Sequence, residues 1–238
     1  MYRLQDDQTW TFEQKLNYNS SMNKDFGKSV KVKGNRIAVG DRLYGYDPEG
    51  AVVLYEYNNT DKCWEELADN IIVRKECVGH FGVDFALTNE QDLVIGCHED
   101  EDWTGSVYSY SQLDYRFPYE FQQRVTASDG ELGDRFGQTE QISVDGNLMI
   151  VGQYKQKGGK AFVFMRTEGH AYGLDHNTWN EVASIPAPEL ETRYFGDQVV
   201  LSGSIVIAST ENAYLYDLTE CSGKSIVNFL LRVTVTVF

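Results

Sequence analysis

A run of acidic residues, Glu99 to Asp102, follows an apolar stretch and forms a dense group of potential metal ligands. Carboxylate oxygens are the ligands that Ca²⁺ prefers, but they must converge on the ion from several directions. Successive side chains on an extended loop point to opposite sides. Asp100 and Asp102 are the candidates for a calcium site, but this geometry argues against one, and we predict no bound metal and no other cofactor.

Further acidic and aromatic residues fall in segments that we expect to be loops. Loops on a rigid scaffold commonly carry binding residues, and exposed Trp and Tyr are typical of side chains that dominate binding energy. We therefore predict an acidic ligand-binding face that includes Asp41, Tyr46, Asp47, Glu99, Asp100, Asp102, Trp103 and Tyr154. The alternative is a solvated surface without a partner, which is the usual role of charge runs.

Sequence motifs of catalysis are missing. The chain has no GxSxG elbow, P-loop, HExxH or GxGxxG, and these motifs position the reactive groups of common enzyme classes. His170 and His176 fall in a predicted solvated loop, and their spacing matches no metal signature. We therefore predict no catalytic residues and favour a non-enzymatic function. A hydrolase that uses loop carboxylates is the alternative, because two suitably spaced carboxylates can hydrolyse a glycoside.

The formal net charge of −15 limits the partners. A negative field repels phosphate groups, so we expect neither nucleic acid nor an anionic membrane surface, and we favour a protein or glycan ligand. No apolar run reaches the roughly 18 residues of a membrane span. Residues 1–8 are polar and lack the apolar region of a signal peptide. The oligomeric state does not follow from these features.

The four cysteines contain no CxxC pair, which argues against a zinc site. Cys63 and Cys77 flank a predicted strand and could form a disulfide. Cys97 ends an apolar stretch and is expected to be a small core residue. Cys221 falls in the C-terminal tail, so the cysteines do not decide the redox compartment.

A Phe-Gly pair recurs four times with nearly constant spacing. The intervals are 55, 55 and 59 residues. Each pair opens two short stretches separated by a tight turn, and the second stretch is apolar throughout, as expected for a strand buried on both faces. We assign a structural role to all four pairs, in which Phe packs between repeats and Gly lets the chain turn. The pairs are Phe26-Gly27, Phe81-Gly82, Phe136-Gly137 and Phe195-Gly196.

Two more strands follow in most repeats, an aromatic third and a more polar fourth. Such a four-stranded meander cannot bury both of its faces alone, and radial packing of several meanders solves this problem. We therefore predict an all-β fold, a β-propeller of about four blades over residues 1–220, with repeats that begin near 26, 81, 136 and 195. Repeat four lacks a clear fourth strand, and the strand Trp10 to Leu16 could complete that blade. Residues 221–238 form an atypical tail.

These residues resemble the FG-GAP repeat family, whose best-known members are the integrin α-subunit propellers. The resemblance covers about Phe26 to Asp217. The segment Thr126 to Gly137 is similar to the inter-blade junctions of bacterial and protist members. Propellers of this family usually have seven blades, whereas four repeats are visible here. The chain is therefore either a compact four-bladed form or a piece of a longer protein. Because incomplete arrays expose an unpaired face, we favour truncation or an altered C-terminus.

The resemblance implies an adhesion-type binding module at the cell surface or outside the cell. Integrin-like repeats also carry a DxDxDG calcium loop. The corresponding turns of this chain are too short and too poor in acid to supply about six to eight oxygens, so calcium is not carried over. FG-GAP repeats also accompany lipase-type enzymes, which adds some support to the hydrolase alternative.

Overall fold

The structure is a computed structural model, and it describes most of the chain. The described residues are 1–18, 25–45, 49–73, 77, 79–88, 92–112, 118–138, 141–154, 158–171, 174–188, 194–209 and 213–218. Tyr46, Asp47 and the predicted tail 221–238 lie outside them.

The described strands form four antiparallel sheets, one for each predicted repeat, and a short N-terminal hairpin of β1 (Tyr2–Leu4) and β2 (Trp10–Phe12). The first sheet contains β3 (Phe26–Lys33), β4 (Arg36–Asp41), β5 (Ala51–Asn58) and β6 (Cys63–Ile72). The second contains β7 (Phe85–Leu87), β8 (Leu93–Cys97), β9 (Ser106–Ser111) and β10 (Glu120–Val125), with the short turn α1 (Asp100–Trp103) before β9. The third contains β11 (Ile142–Asp145), β12 (Leu148–Gln153), β13 (Lys160–Ala171) and β14 (Leu174–Pro186). The fourth contains the three described strands β15 (Gln198–Ser202), β16 (Ile205–Ser209) and β17 (Ala213–Asp217).

Successive sheets stack through their first strands. Strand β3 contacts β7, β7 contacts β11, and β11 contacts β15. In each sheet the strands then follow in chain order away from this contact, as they do in the blades of a propeller. The prediction of an all-β chain with about four propeller-type blades is confirmed, and we call the sheets blades one to four. Among the described residues, no helix has the length and apolar character needed to span a membrane.

The hydrophobic core lies between the blades. Each interface contains wholly buried side chains from both neighbouring blades. Burial of each such Leu, Ile or Phe side chain stabilises the folded state by about 1.5–3 kcal/mol. Leu54 and Phe85 meet between blades one and two. Val94 and Phe162 meet between blades two and three, and Ile150 and Val206 meet between blades three and four. The blades therefore stabilise one another rather than folding as independent units.

The Phe-Gly pairs lie where the chain enters each blade. Phe81, Phe136 and Phe195 are wholly buried, whereas Phe26 is only half-buried. The glycine that follows has a left-handed backbone in all four repeats; φ is +95° at Gly27, +79° at Gly82, +76° at Gly137 and +85° at Gly196. A residue with a Cβ would be strained there, so the pair combines a packing anchor with a turn.

The N-terminal segment lies against blade one. The Gln14 Nε2 donates to the Trp64 carbonyl at 2.8 Å, and the Trp64 N–H donates to Gln14 Oε1 at 2.8 Å. Gln123 and Trp179 make the same two bonds between blades two and three, at 3.0 and 2.7 Å. Residues 10–16 therefore occupy the same position beside blade one that β10, the fourth strand of blade two, occupies beside blade three. Completion of blade four by this segment stays a prediction, since the described partner of β2 is β1.

Blades one and four each leave an apolar face exposed. Val30 and Val32 of β3 are 53% and 58% exposed. Val200, Ile207 and Leu215 form a row of directly paired residues across β15, β16 and β17, and they are 55%, 37% and 41% exposed. These faces are the two ends of the described stack of blades.

Two expectations from the sequence are wrong. Cys77 forms its disulfide with Cys97, so Cys63 is a free cysteine and Cys97 is not an isolated core residue. The pairing follows from the fold, which places the chain before blade two beside the end of β8. The predicted loop around His170 and His176 is instead a continuation of β13 and β14 as a long paired hairpin.

Candidate binding site at the blade junctions

In three repeats, the residue before the Phe-Gly pair has a left-handed backbone. The φ angles of His80, Arg135 and Tyr194 are 62°, 52° and 60°. Non-glycine residues are uncommon in this region, and strained backbone of this kind concentrates at functional sites. The next residue is the buried Phe, whereas the preceding side chain is itself only half-buried in all three repeats.

Arg135 links aromatic side chains of two different blades. Its guanidinium carbon lies 4.8 Å from the centre of the Trp103 ring and 5.5 Å from the centre of the Tyr154 ring. Tyr154 in turn stacks on Tyr194 with ring centres 5.0 Å apart. A cation–π contact contributes about 0.5–1 kcal/mol at an exposed site, so these contacts favour the arrangement of the rings seen here. Trp103 is nevertheless 41% exposed.

Two histidines continue this stack on blade two. The His98 ring meets the Trp103 ring edge-on at 5.8 Å and stacks on the His80 ring at 5.3 Å. Burial, together with the neighbouring His80, lowers the pKa of His98 to about 4, so this imidazole is neutral at pH 7. We call the whole set the rim stack: His80, His98, Trp103, Arg135, Tyr154 and Tyr194.

Trp103 is presented by the tight turn α1 rather than by an extended loop. Glu101, Asp102 and Trp103 have φ angles of 47°, 56° and 70°, all in the left-handed region. The Arg135 N–H donates to the Trp103 carbonyl at 2.8 Å, which ties the turn to the next blade junction. The expectation of an extended acidic loop is therefore wrong, and the turn fixes the position of the indole ring.

Several of the predicted acidic residues are buried and bonded. Asp100 is 5% exposed and accepts hydrogen bonds from the Tyr108 hydroxyl at 2.7 Å and from Arg124 Nε at 2.9 Å. Asp41 is wholly buried and accepts the Asp25 N–H at 2.8 Å. Both carboxylates are buried and hydrogen-bonded within the protein, so they are not part of an exposed acidic face.

The other predicted residues are distributed unevenly. Asp102 and Trp103 are exposed, and Glu99 and Tyr154 are half-buried. Trp103 and Tyr154 come together through Arg135, whereas Tyr46 and Asp47 lie outside the described residues. The sequence analysis missed the other members of the rim stack. Their common signal was present in the repeats, because three of them directly precede a Phe-Gly pair.

A separate cleft of about 470 Å³ lies between the N-terminal hairpin and blade one. Its lining residues are Met1, Tyr2, Glu13, Gly34, Asn35, Tyr57 and Trp64. Its volume suits a small molecule, but none of the predicted ligand-binding residues lines the cleft. We therefore place the candidate site at the rim stack.

The stacked blades and the repeated Phe-Gly junctions define a propeller-type repeat protein. Comparison with family models agrees, because residues 119–164 match the FG-GAP repeat. The chain therefore contains an FG-GAP repeat, and the resemblance stated from the sequence is confirmed over this segment. The matched segment begins just before β10 and ends within β13, and it includes Arg135 and Tyr154. No curated protein matches the chain.

Proposed function

We propose that the protein is a non-enzymatic binding module and that a protein ligand docks on the rim stack. The observation that carries the proposal is the exposed Trp103 ring, held by Arg135 at the junction of two blades. Trp, Tyr and Arg are the side chains that most often dominate binding energy. A side chain that is already fixed loses little entropy on binding, which raises affinity.

The charge around the rim stack favours a ligand with basic residues. Glu101 forms an ion pair with Arg124 at 3.0 Å, and its side chain is 63% exposed. Asp102, next to Trp103, and Glu131, four residues before Arg135, are also exposed. Together with the net charge of −15, these groups attract positive charge and accelerate association with it. A basic protein segment combines this attraction with contacts to the aromatic rings, whereas a neutral glycan would use the rings alone.

An adhesion-type role at the cell surface or outside the cell is part of this proposal. The Cys77–Cys97 disulfide supports it, because disulfides persist mainly in oxidising compartments. The FG-GAP repeat supports the binding role, because the family resemblance implies an adhesion-type module.

The proposal is tested by screening the purified chain against a peptide array graded by charge and against a glycan array. Basic peptides are expected to bind, and Trp103→Ala should weaken their binding by at least about 30-fold, the effect of losing a dominant side chain. Trp10→Ala is the matched control, because Trp10 is 66% exposed on the distant N-terminal hairpin. Equal effects of the two substitutions, or binding of glycans alone, would overturn the proposal.

A hydrolase remains the alternative function. It would require two carboxylates that are free to transfer protons or attack a substrate. Two buried carboxylates close to the rim stack have other roles: Asp100 is held by Tyr108 and Arg124, and Asp134 accepts the Glu131 N–H at 2.7 Å. These bonds favour the binding role over the catalytic one.

A further inference from the structure

We propose that His80, His98 and Glu99 bind a divalent transition-metal ion of the zinc type at the blade-two end of the rim stack. Each residue offers one ligand atom, and the three atoms lie within 4.8 Å of one another. In the described part of the chain, this is the one such group of three His, Cys, Asp or Glu side chains.

The distances from Glu99 to the two histidines are close to those between ligand atoms of a zinc ion. His80 Nδ1 lies 2.7 Å and His98 Nε2 lies 3.8 Å from Glu99 Oε1. Ligand atoms about 2.0–2.1 Å from a tetrahedral zinc ion are about 3.3 Å apart, which lies between these two values. The two imidazole nitrogens lie within 4.8 Å of each other, so a common centre requires them to approach by up to about 1.5 Å. Because the lone pair of an imidazole lies in the ring plane, the two stacked rings must also rotate to face one ion.

The histidines also have unused hydrogen-bonding capacity. His80 Nδ1 is close to Glu99 but is not aligned for a hydrogen bond, and it is buried without another partner. His98 is 5% exposed, and its Nδ1 is likewise buried without a partner. Unpaired buried polar atoms are rare and costly, so each one calls for an explanation. A metal ion gives His80 Nδ1 a full partner, whereas the His98 ligand atom is Nε2 and its Nδ1 is not engaged by the ion.

The donor set selects the type of metal. Two imidazoles and one carboxylate form a common three-ligand set for zinc, with a fourth position open to solvent or to a ligand. Calcium instead requires about six to eight oxygen ligands. The proposed ion therefore differs from the calcium that the acidic sequence run suggested, and it involves Glu99 rather than Asp100 or Asp102.

The fold holds the two ligand-bearing segments together. The Cys77–Cys97 disulfide joins the chain just before His80 to the chain just before His98. Gly79 has a φ of +94°, and a Cβ at this position would lie 2.2 Å from Glu99 Oε2. The glycine therefore makes room for the Glu99 carboxylate beside the two imidazoles.

Calorimetric titration of the full, oxidised chain with zinc chloride tests the site directly. A Cys63→Ser, Cys221→Ser background removes the other two cysteines, which would bind zinc themselves. We expect one ion per chain. His80→Gln and Glu99→Gln should each weaken binding by at least about 100-fold, the upper end of the loss caused by removing a merely supporting residue. Glu101→Gln, a nearby and more exposed carboxylate, is the control that should bind as the parent does.

Because His98 is buried, His98→Gln could fail to fold, and the test therefore depends on the more exposed His80 and Glu99. Cobalt substitution gives a second measurement, since a tetrahedral nitrogen and oxygen environment changes the visible absorption of Co²⁺. Unchanged zinc affinity in both variants, an equal loss in Glu101→Gln, or displacement of zinc by an equal concentration of Ca²⁺ would overturn the site. None of these measurements uses the proposed protein ligand, so failure of the metal site and failure of the binding function are distinguishable.

Discussion

In blades three and four, the second and third strands carry equivalent pairs of apolar residues, but the surroundings of these pairs differ. In blade three, Ile150 pairs with Val163, and both are almost wholly buried under blade four. In blade four, Ile207 pairs with Leu215, and they are 37% and 41% exposed. Ile150 and Ile207 each stand four residues after the glycine of the preceding turn, so they occupy the same position of the repeat.

The difference shows that burial in this fold is conferred by the neighbouring blade. The same apolar row exists in both blades, but only one is covered within the described residues. The opposite end of the stack shows the same contrast, because Val30 of blade one is 53% exposed while Ile142, its equivalent in blade three, is 3% exposed. Mutations at equivalent positions should therefore have unequal effects on stability.

The largest contrast is expected between the phenylalanines of the repeats. Phe136→Ala removes a wholly buried ring between Phe162 and Phe164 and should lower the free energy of unfolding by about 3–5 kcal/mol. Phe26→Ala, at the half-buried end position, should lower it by about 2 kcal/mol or less. Urea unfolding followed by tryptophan fluorescence measures both. Equal losses would show that the face of blade one is covered in solution.

The next contrast concerns the two equivalent isoleucines. Ile150→Ala should reduce the free energy of unfolding by about 2–5 kcal/mol, because it leaves a cavity between two blades. Ile207→Ala removes a partly exposed side chain and should reduce it by about 1 kcal/mol. The same urea titration applies, and a loss at Ile207 as large as that at Ile150 would contradict the comparison.

A smaller contrast is expected for the two glutamines that bind the tryptophan backbone. Gln123→Ala leaves two backbone groups of the buried Trp179 without partners and should cost about 1–3 kcal/mol. Gln14→Ala makes the same change beside the more exposed Trp64 and should cost about 1 kcal/mol, because water can replace the lost bonds. Thermal unfolding compares the two variants. A larger loss of stability in Gln14→Ala than in Gln123→Ala would contradict this comparison.

The smallest effect is expected at the exposed valines. Val30→Thr and Val200→Thr should change the free energy of unfolding by no more than about 0.5 kcal/mol, as substitutions of exposed residues usually do. Both should also reduce the binding of a hydrophobic dye, because they make an exposed apolar face more polar. Dye fluorescence at equal protein concentration is the measurement. Strong destabilisation by either substitution would show that its face packs against something in solution.

The repeat architecture was predictable from the sequence because it depends on local signals. The recurrent Phe-Gly pair, the tight turns and the unbroken apolar second strands all act within a few residues. The prediction failed where geometry depends on distant contacts. Cys77 pairs with Cys97 rather than Cys63 because the fold, and not the spacing, brings these two residues together.

The candidate site was predictable only in part for the same reason. Trp103 and Tyr154 were identified by type and loop position, but Arg135 joins them from a third segment. The acidic run also looked uniform in sequence, whereas Asp100 turns inward to Tyr108 and Glu99 lies against His80. Glu101 and Asp102 are exposed. The direction of each side chain depends on the left-handed turn α1, and no glycine or proline in the run signals that turn.

The left-handed residue before three of the four Phe-Gly pairs has a consequence for how such a protein could evolve. Its side chain is only half-buried, so replacement there leaves the neighbouring Phe and the core packing in place. Left-handed backbone accepts Asn, Asp or His far more readily than Val, Ile or Thr. Positions 80, 135 and 194 can therefore diversify one at a time among unbranched side chains, which gives this fold a way to acquire new partners without rebuilding a blade.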